Sequence, residues 1–289
     1  MSIVFDNVTF TYMPNTPYQR TAIQNINLTI DKGEFIGIIG HTGSGKSTLV
    51  QHMNGLITPT SGHVTVDGVD LKTKGEAARN ARRRVGMVFQ YPEHQLFEET
   101  ICQDIAFGPK NLGVPEHEME SRVRRAMDFV GLDYEQFKDR SPFNLSGGQM
   151  RRVAIAGVIA LEPDYLALDE PAAGLDPRGR DEIFGQIVKL HQTTGITVIL
   201  VSHNMEDVAR FASRVLVMNG GQIGLDGTPA DIFGSGRQQL RAAGVDVPPL
   251  TTLIDALQAG GLPITNTALT AEAAAQEIFA AVRGRKNAD

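Results

Sequence analysis

The sequence predicts an α/β fold built on a parallel sheet. Three apolar runs, at residues 35–40 (FIGIIG), 165–169 (YLALD) and 197–202 (TVILVS), have the length and composition of strands buried on both faces. Helical patterns lie between these runs, as in residues 153–160, and strands joined by helices assemble into parallel sheets with helical crossovers. Because parallel strands end at one common edge, polar residues at the ends of these runs are expected to gather there.

A hairpin subdomain is predicted ahead of the first buried run. Apolar residues alternate with polar ones from residue 8 to residue 12, and again from residue 26 to residue 30. Alternation of this kind is typical of strands with one buried face, so we expect antiparallel hairpins in this part of the chain.

A small helical appendix is predicted at the carboxyl end. From about Gly234 the composition changes to GSG, then VPP, then two helical stretches that each carry an apolar stripe. The stripes consist of Leu250, Leu253, Ile254 and Leu257, followed by Ala275, Ile278, Phe279 and Val282. Such stripes either pack onto the main domain or contact another subunit, and the pattern leaves both open. We therefore divide the chain into a domain of residues 1–235 and an appendix of residues 236–289.

Composition limits the partners of the chain. The 289 residues are 42% hydrophobic and 21% charged, and the formal net charge of −6 argues against general attraction to nucleic acid or anionic lipid. No apolar run approaches the ~20 residues of a spanning helix, and the first residues lack the pattern of a signal peptide. We therefore expect a cytosolic chain that reaches a membrane only through a protein partner. The single cysteine, Cys102, is expected to be a packing residue.

The strongest motif is GHTGSGKST at residues 40–48, which matches G-x-x-x-x-G-K-[ST] directly after a predicted strand. Its glycines let backbone N–H groups wrap a phosphate chain, and the next helix presents its positive end. Lys46 should reach the β- and γ-phosphates, and Ser47 should ligate Mg²⁺. We assign nucleotide binding to the whole loop, namely Gly40, His41, Thr42, Gly43, Ser44, Gly45, Lys46, Ser47 and Thr48, with no role for His41 beyond lining it.

Two carboxylates follow the second buried run, in YLALDEP. Asp169 is expected to hold Mg²⁺ through water. Glu170 is expected to accept a proton from the water that attacks the γ-phosphate, which requires a carboxylate within one hydrogen bond of that water. An acidic pair at a strand end is often only the start of a solvated loop. Because the chain also contains a phosphate loop, we favour a functional role for Asp169 and Glu170.

His203 and Gln90 follow two other apolar runs, and each could be either a functional residue or an ordinary residue at a strand end. A single histidine is usually structural, but His203 directly follows the third core run, where active residues are expected. Gln90 closes the apolar run VGMVFQ, and its neutral amide could contact both the metal and the attacking water. We therefore include both as candidate catalytic residues, and Gln90 also as a metal ligand.

Residues 145–150 (LSGGQM) form a second candidate anion cradle. A serine and two glycines stand just ahead of a helical pattern, and the N–H groups at a helix N-terminus attract anions. One chain therefore carries two cradles.

Taken together, the motifs resemble an ABC-type ATPase. GHTGSGKST, Gln90, LSGGQ, YLALDEP, the GLD at residues 174–176 and His203 stand in the order of that family, over roughly residues 1–235. The resemblance implies a P-loop NTPase fold with an antiparallel β subdomain and a helical signature subdomain. It also implies a head-to-tail dimer, in which the signature of one subunit caps the ATP held by the phosphate loop of the other.

The resemblance implies further contacts to ATP. Outside the phosphate loop these are Tyr12, Ser146, Gly147, Gly148, Gln149 and Asp176. Tyr12 would stack on adenine, but the next residues, MPNTPYQR, also supply Tyr18, so the choice between the two tyrosines is open.

A finer resemblance is to the ATPases of energy-coupling factor transporters, which take up vitamins and related micronutrients. This resemblance is carried by residues 89–113, by DRSPFNLSGGQMRRVAIAGVIA and by the appendix. Within that group, the chain is similar to the second of two paralogous ATPases. The resemblance implies a complex with the paralogous ATPase, a transmembrane coupling subunit and a membrane substrate-binding subunit, although a homodimer stays open. The coupling subunit would contact Tyr91, Pro92, Leu96 and Phe97, which in a lone enzyme would be core residues.

Two other functions have sequence requirements that this chain does not meet. A soluble ABC ATPase that acts on the ribosome or DNA would usually carry two cassettes or a long coiled coil, with a basic surface for its polymer. This chain has one cassette, no sustained heptads and a negative net charge. A P-loop kinase or GTPase would leave LSGGQ and His203 unexplained. The transported substrate does not follow from the sequence.

Overall fold

The structure, a computed structural model, describes residues 1–264 and 270–286. Its strands are β1 (Ser2–Tyr12), β2 (Arg20–Asp31), β3 (Phe35–Ile39), β4 (Ser61–Val66), β5 (Val69–Asp70), β6 (Val85–Val88), β7 (Tyr165–Asp169), β8 (Thr197–Val201), β9 (Arg214–Asn219) and β10 (Gln222–Gly227). Its helices are α1 (Lys46–Met53), α2 (Glu76–Arg83), α3 (Ile101–Asn111), α4 (Glu116–Phe129), α5 (Tyr134–Phe137), α6 (Gly147–Ile159), α7 (Pro177–Thr194), α8 (Met205–Phe211), α9 (Arg237–Ala242), α10 (Pro249–Ala259) and α11 (Ala271–Lys286). Short helical turns occur at Pro92–Gln95, Pro142–Asn144 and Asp231–Ser235.

The central sheet has the order β10-β9-β3-β8-β7-β6. Its strands β9, β3, β8, β7 and β6 are parallel, and only β10 is antiparallel to its neighbour. Every residue of β3, β7 and β8 is buried, because helices and the second sheet cover both faces. The prediction of a parallel sheet with these three strands at its centre is confirmed.

The second sheet is antiparallel, with the order β2-β1-β4-β5. In the β1–β2 pair, Phe5 lies opposite Leu28 and Val8 opposite Ile26, which confirms the predicted hairpin. The apolar side chains of one face pack against α1 and the central sheet, in a cluster that includes Ile38 and Leu49. The hairpin is thereby held beside the loop that connects β3 to α1.

A helical subdomain lies between β6 and β7. Helices α3, α4 and α6 pack on one another around Ile101, Val123 and Val153, and α6 begins at the predicted signature. Cys102 is half-buried against this core, as expected of a packing residue, and burial raises the pKa of its thiol.

The appendix forms a small cluster of its own, in which α10 and α11 pack together. Ile254 is buried there, as predicted, but Leu253 is 49% exposed. On α11 the predicted stripe is confirmed at Ile278, which packs against the cluster, and wrong at Ala275, Phe279 and Val282, which are exposed, whereas Ala274 and Ala281 are buried.

The expected boundary at residue 235 stays a prediction. Leu240 and Val245, beyond that residue, pack in the core of the main body. Within the described part of the chain, none of the helices combines the length and the apolar composition needed to cross a bilayer.

Candidate functional site

The phosphate loop connects the end of β3 to the start of α1. Gly40 and Gly45 have φ angles of +152° and +105°, in the region that favours glycine. A Cβ at Gly40 would lie 2.4 Å from the carbonyl oxygen of Met218, and one at Gly45 would lie 2.6 Å from that of Ala22. The path of this loop therefore requires glycine at both positions.

Lys46 is the first residue of α1, and its side chain turns back into the loop. Its Nζ donates hydrogen bonds to the carbonyl oxygens of Gly40, at 2.7 Å, and His41, at 3.1 Å. Burial lowers the pKa of Lys46, whereas the nearby Glu170 and Asp169 act to raise it. The loop thus presents a buried cation at the position where the motif requires one.

Two hydroxyl groups of the loop are available for further contacts. The Ser44 hydroxyl is buried and has no hydrogen-bond partner among the described residues, so a bound phosphate would satisfy an otherwise unpaired group. Ser47 is exposed and hydrogen-bonded to Asp169. The predicted loop residues His41 and Thr42 are also exposed, and His41 Nδ1 donates to the Thr42 carbonyl at 2.9 Å.

A cavity of about 190 Å³ lies between this loop and the β1–β2 hairpin. It is lined by Tyr12, Arg20, Ala22, Gly43, Gly45, Lys46, Ser47 and Thr48. The Tyr12 hydroxyl lies 3.3 Å from Thr48 Oγ1, which fixes its ring beside the loop. Tyr18 is 80% exposed and does not line the cavity, so Tyr12 is the one of the two tyrosines that lies beside the phosphate loop.

Arg20 is a cavity residue that none of the sequence motifs predicts. It lies directly opposite Tyr12 in the β1–β2 pair, and its guanidinium would be 3.1 Å from a Cβ at Gly43. Only the register of the hairpin brings Arg20 to the loop, and that register contains irregularities that alternation of apolar residues does not reveal. The one sequence feature that points to Arg20 is its position as a basic residue at the start of the second strand.

The ends of β7 and β8 complete this edge of the sheet. Val201 of β8 is paired in register with Ile38 of β3 and with Asp169 of β7, so the three strands end at one level. Glu170 follows Asp169 with a φ of +53°, and its N–H donates to the carbonyl of Val201 at 3.0 Å. His203 follows β8, and its Nε2 lies 3.5 Å from Glu170 Oε1.

The electrostatics of these groups follow from burial and mutual contact. Burial and the charge of Asp169 raise the pKa of Glu170 to about 7. Burial also raises the pKa of Asp169, which the Ser47 hydrogen bond and Lys46 counteract. For His203, burial and Lys46 lower the pKa. The structure therefore brings the lysine, both carboxylates and the histidine together, as the strand-end argument predicted.

Gln90 lies two residues beyond the end of β6 and is exposed. Its predicted contacts with metal and water stay predictions. In the segment that follows, Pro92 and Leu96 are buried, and Leu96 packs in the main core. Tyr91 and Phe97 are 45% and 56% exposed, so only these two of the four predicted partner-contact residues present side chains at the surface.

The signature is built as a helix N-terminus. Ser146 caps α6: its Oγ accepts from the Gln149 N–H at 3.3 Å, and Gln149 Oε1 accepts from the Ser146 N–H at 3.1 Å. Ser146 and Gly147 are exposed, and neither they nor Gly148 lines the cavity beside the phosphate loop. Asp176 likewise caps α7, accepting from the Gly179 N–H at 2.7 Å. The signature thus forms a complete helix N-terminus that is separate from the phosphate loop of the same chain.

Comparisons with known proteins agree with this geometry. The profile of the ABC transporter family matches residues 23–173. An energy-coupling factor transporter ATP-binding protein EcfA2 from Clostridium tetani is 54% identical over 279 residues, which cover 96% of each chain. The chain belongs to the ABC transporter family, in its energy-coupling factor branch.

Solved structures of ABC transporter subunits have the same fold. The cbiO1 protein from Clostridium perfringens, part of the ABC transporter complex cbiONQ, is 36% identical and superimposes with a TM-score of 0.72, over 83% of this chain and 94% of that chain. The ATP-binding cassette MJ0796, solved as a dimer bound to ADP and Pi, is 29% identical with a TM-score of 0.69, over 78% and 98% of the two chains. The chain is accordingly an ABC ATPase, and ATP is its nucleotide.

The position of Glu170 leads to a test of its role. Replacing Glu170 by Gln removes the proton acceptor but keeps a side chain of the same shape, so ATP binding should persist while turnover slows by ~10²–10⁴. Steady-state hydrolysis and equilibrium ATP binding by the assembled complex measure the two effects. Glu135→Gln, at an exposed carboxylate of α5, is the matched control and should hydrolyse ATP at the wild-type rate. Near-normal hydrolysis by Glu170→Gln would remove Glu170 from the role of base.

Proposed function

We propose that the chain is the ATP-hydrolysing subunit of an energy-coupling factor transporter that powers uptake of a vitamin or related micronutrient through membrane partner subunits. The observation that carries this proposal is the similarity to EcfA2 over nearly the full length of both chains, appendix included. The chain would act at the cytoplasmic face of the cell membrane as a peripheral subunit. No observation favours the alternative of a ribosome- or DNA-associated ATPase.

Mg²⁺ is proposed as the metal that accompanies ATP. The Ser47 hydroxyl and the Asp169 carboxylate already meet at the loop, and Gln90 would add an amide oxygen. These are the oxygen donors that Mg²⁺ prefers, and a few protein ligands suffice because Mg²⁺ keeps waters and binds substrate phosphates. The ion would neutralise charge that develops on the phosphates.

Hydrolysis is then divided among residues at one edge of the sheet. The loop N–H groups and Lys46 hold the phosphates, and the hairpin contributes Tyr12 to the base and the Arg20 guanidinium to the anionic part of the nucleotide. Glu170 accepts the proton of the attacking water, which suits a carboxylate whose pKa is raised to about 7. His203, beside Glu170, contacts the γ-phosphate and helps to orient that water.

The active site is proposed to be shared between two subunits. Ser146, Gly147, Gly148 and Gln149 would cap the ATP held by a paralogous ATPase, and the partner's signature would cap the ATP held here. The geometry supports this arrangement, because the exposed N-terminus of α6 is an anion cradle that its own phosphate loop does not use. A homodimer would satisfy the same geometry.

The segment after Gln90 is the proposed contact with the transmembrane coupling subunit. Tyr91 and Phe97 are exposed there, and Phe97 packs edge to face with the exposed Phe107, with ring centroids 4.7 Å apart. The backbone beneath is fixed by Glu93, which accepts hydrogen bonds from Arg151 of α6 at 2.7 and 3.0 Å. A helix of the coupling subunit would pack on these rings, and a membrane substrate-binding subunit would join through that subunit.

The two cradles are predicted to act on different nucleotides. Ser146→Arg should abolish hydrolysis of the ATP bound by the partner subunit, because a long cation replaces the cap, while Lys46→Ala should impair the site that this chain itself holds. Mixed complexes with one variant per subunit, assayed for nucleotide binding at each site, separate these effects. The shared site would be contradicted if Ser146→Arg released ATP from the phosphate loop of its own chain.

Phe97 tests the contact with the membrane subunit. Phe97→Glu should abolish co-purification with the coupling subunit and uptake into vesicles, because burying an unpaired carboxylate in an interface is unfavourable. The isolated variant should still fold and bind ATP, since Phe97 is 56% exposed. Leu56→Glu, at a similarly exposed position, is the control and should assemble normally. Wild-type assembly and transport by Phe97→Glu would exclude the contact at this ring.

A further inference from the structure

Helices α7 and α8 both begin close after candidate site residues, and two ion pairs connect them, of which one is largely buried. Asp176 caps α7, and His203 precedes Asn204, which caps α8. Near the start of these helices, the Arg180 guanidinium donates to both carboxylate oxygens of Asp207, at distances of 2.7 to 3.1 Å. Asp207 is only 7% exposed. The pair is therefore a largely buried, two-pronged contact between the two helices.

Backbone hydrogen bonds connect Arg180 and Asp207 to the residues next to the candidate site. The Arg180 N–H donates to the carbonyl of Asp176 at 3.0 Å. On the other helix, the Asp207 N–H donates to Asn204 Oδ1 at 3.1 Å, and the Asn204 N–H donates to Ser202 Oγ at 3.0 Å. His203 lies between the last two residues. A continuous series of hydrogen bonds therefore runs from Asp176, in the loop before α7 (the Asp176 loop), to the two residues that flank His203, in the loop before α8 (the His203 loop).

Stability alone does not account for a contact of this kind. A buried ion pair is often no more stabilising than apolar side chains of the same volume, because both charges must lose their water. Burial raises the pKa of Asp207, and hydrogen bonds from Arg180 counteract that cost. A planar guanidinium held at two points does fix direction, which apolar packing does not.

We propose that Arg180 and Asp207 are positioning residues for ATP hydrolysis, which hold the His203 loop in a fixed relation to the Asp176 loop. This inference rests on the proposed role of His203. Neither Arg180 nor Asp207 lines the nucleotide cavity, so the pair acts on turnover and not on ATP affinity.

The test uses the full chain in the assembled transport complex. Arg180→Gln and Asp207→Asn should each lower kcat roughly 10- to 100-fold, since small misplacements of a catalytic group cost up to about 10² in rate. The KM for ATP should stay within about twofold of the wild-type value, because nucleotide contacts are unchanged. Circular dichroism below the melting temperature of each variant establishes that the measured protein is folded.

Two further variants separate positioning from stability. Arg210→Gln removes the exposed pair of Arg210 with Asp181, 3.4 Å apart, which joins the same two helices, and it should hydrolyse ATP normally. Arg180→Gln added to His203→Ala should lower kcat no further than His203→Ala alone, because the pair acts through that residue.

The measurements distinguish failure of this inference from failure of the proposed role of His203. A wild-type rate for His203→Ala would remove the role of His203 and this inference with it. If His203→Ala is slow but folded Arg180→Gln has a wild-type kcat, the inference is overturned and the proposed function stands. Fully additive losses in the double variant would likewise show that the pair does not act through His203.

Discussion

The parallel pairing of β8 with both β3 and β7 is the constraint on which the site depends. Val201 is in register with Ile38 on one side and Asp169 on the other, so the residues just past these three strands share one level. A shift of one residue in either pairing would reverse the faces of a fully buried strand and displace the loop, the carboxylates or the histidine. The chemistry is thus fixed by the same apolar pairing that forms the core.

Burial gives the groups at this edge their properties. Lys46 and Asp169 are almost fully buried. The charges of Glu170 and Asp169 and hydrogen bonds to loop carbonyls stabilise Lys46, and a hydrogen bond from Ser47 and the charge of Lys46 stabilise Asp169. In the part of the chain that the structure describes, neither a lysine nor an arginine forms an ion pair with Glu170, so desolvation and the charge of Asp169 outweigh the effect of Lys46 and the pKa of Glu170 rises. The signature has the opposite character, because it is a capped helix end whose Ser146 and Gly147 are exposed and therefore accessible from outside the chain. One cradle is therefore suited to holding a nucleotide, and the other to closing over one.

Features that depend on local sequence were predictable, and features that depend on tertiary register were not. The three core strands, the phosphate loop and the cap at Ser146 follow from short patterns whose physics is local. Arg20 was missed because a hairpin with irregular pairing brings it beside Tyr12. The burial of Leu96 and the exposed Phe279 depend on which neighbours arrive from elsewhere in the chain, and an apolar residue alone does not reveal that. The contact of Arg180 with Asp207 joins residues 27 positions apart on separate helices, for which no local signal exists.

The central claim is that the signature of this chain covers a nucleotide bound by another subunit. Its most direct test is the alkylation rate of Ser146→Cys in a Cys102→Ser background, measured in the assembled complex with and without MgATP. If the claim holds, MgATP protects the thiol even when Lys46→Ala prevents this chain from binding its own nucleotide, and the protection disappears when the partner ATPase is omitted. Protection that requires Lys46 of the same chain, or that persists without the partner, would contradict the account.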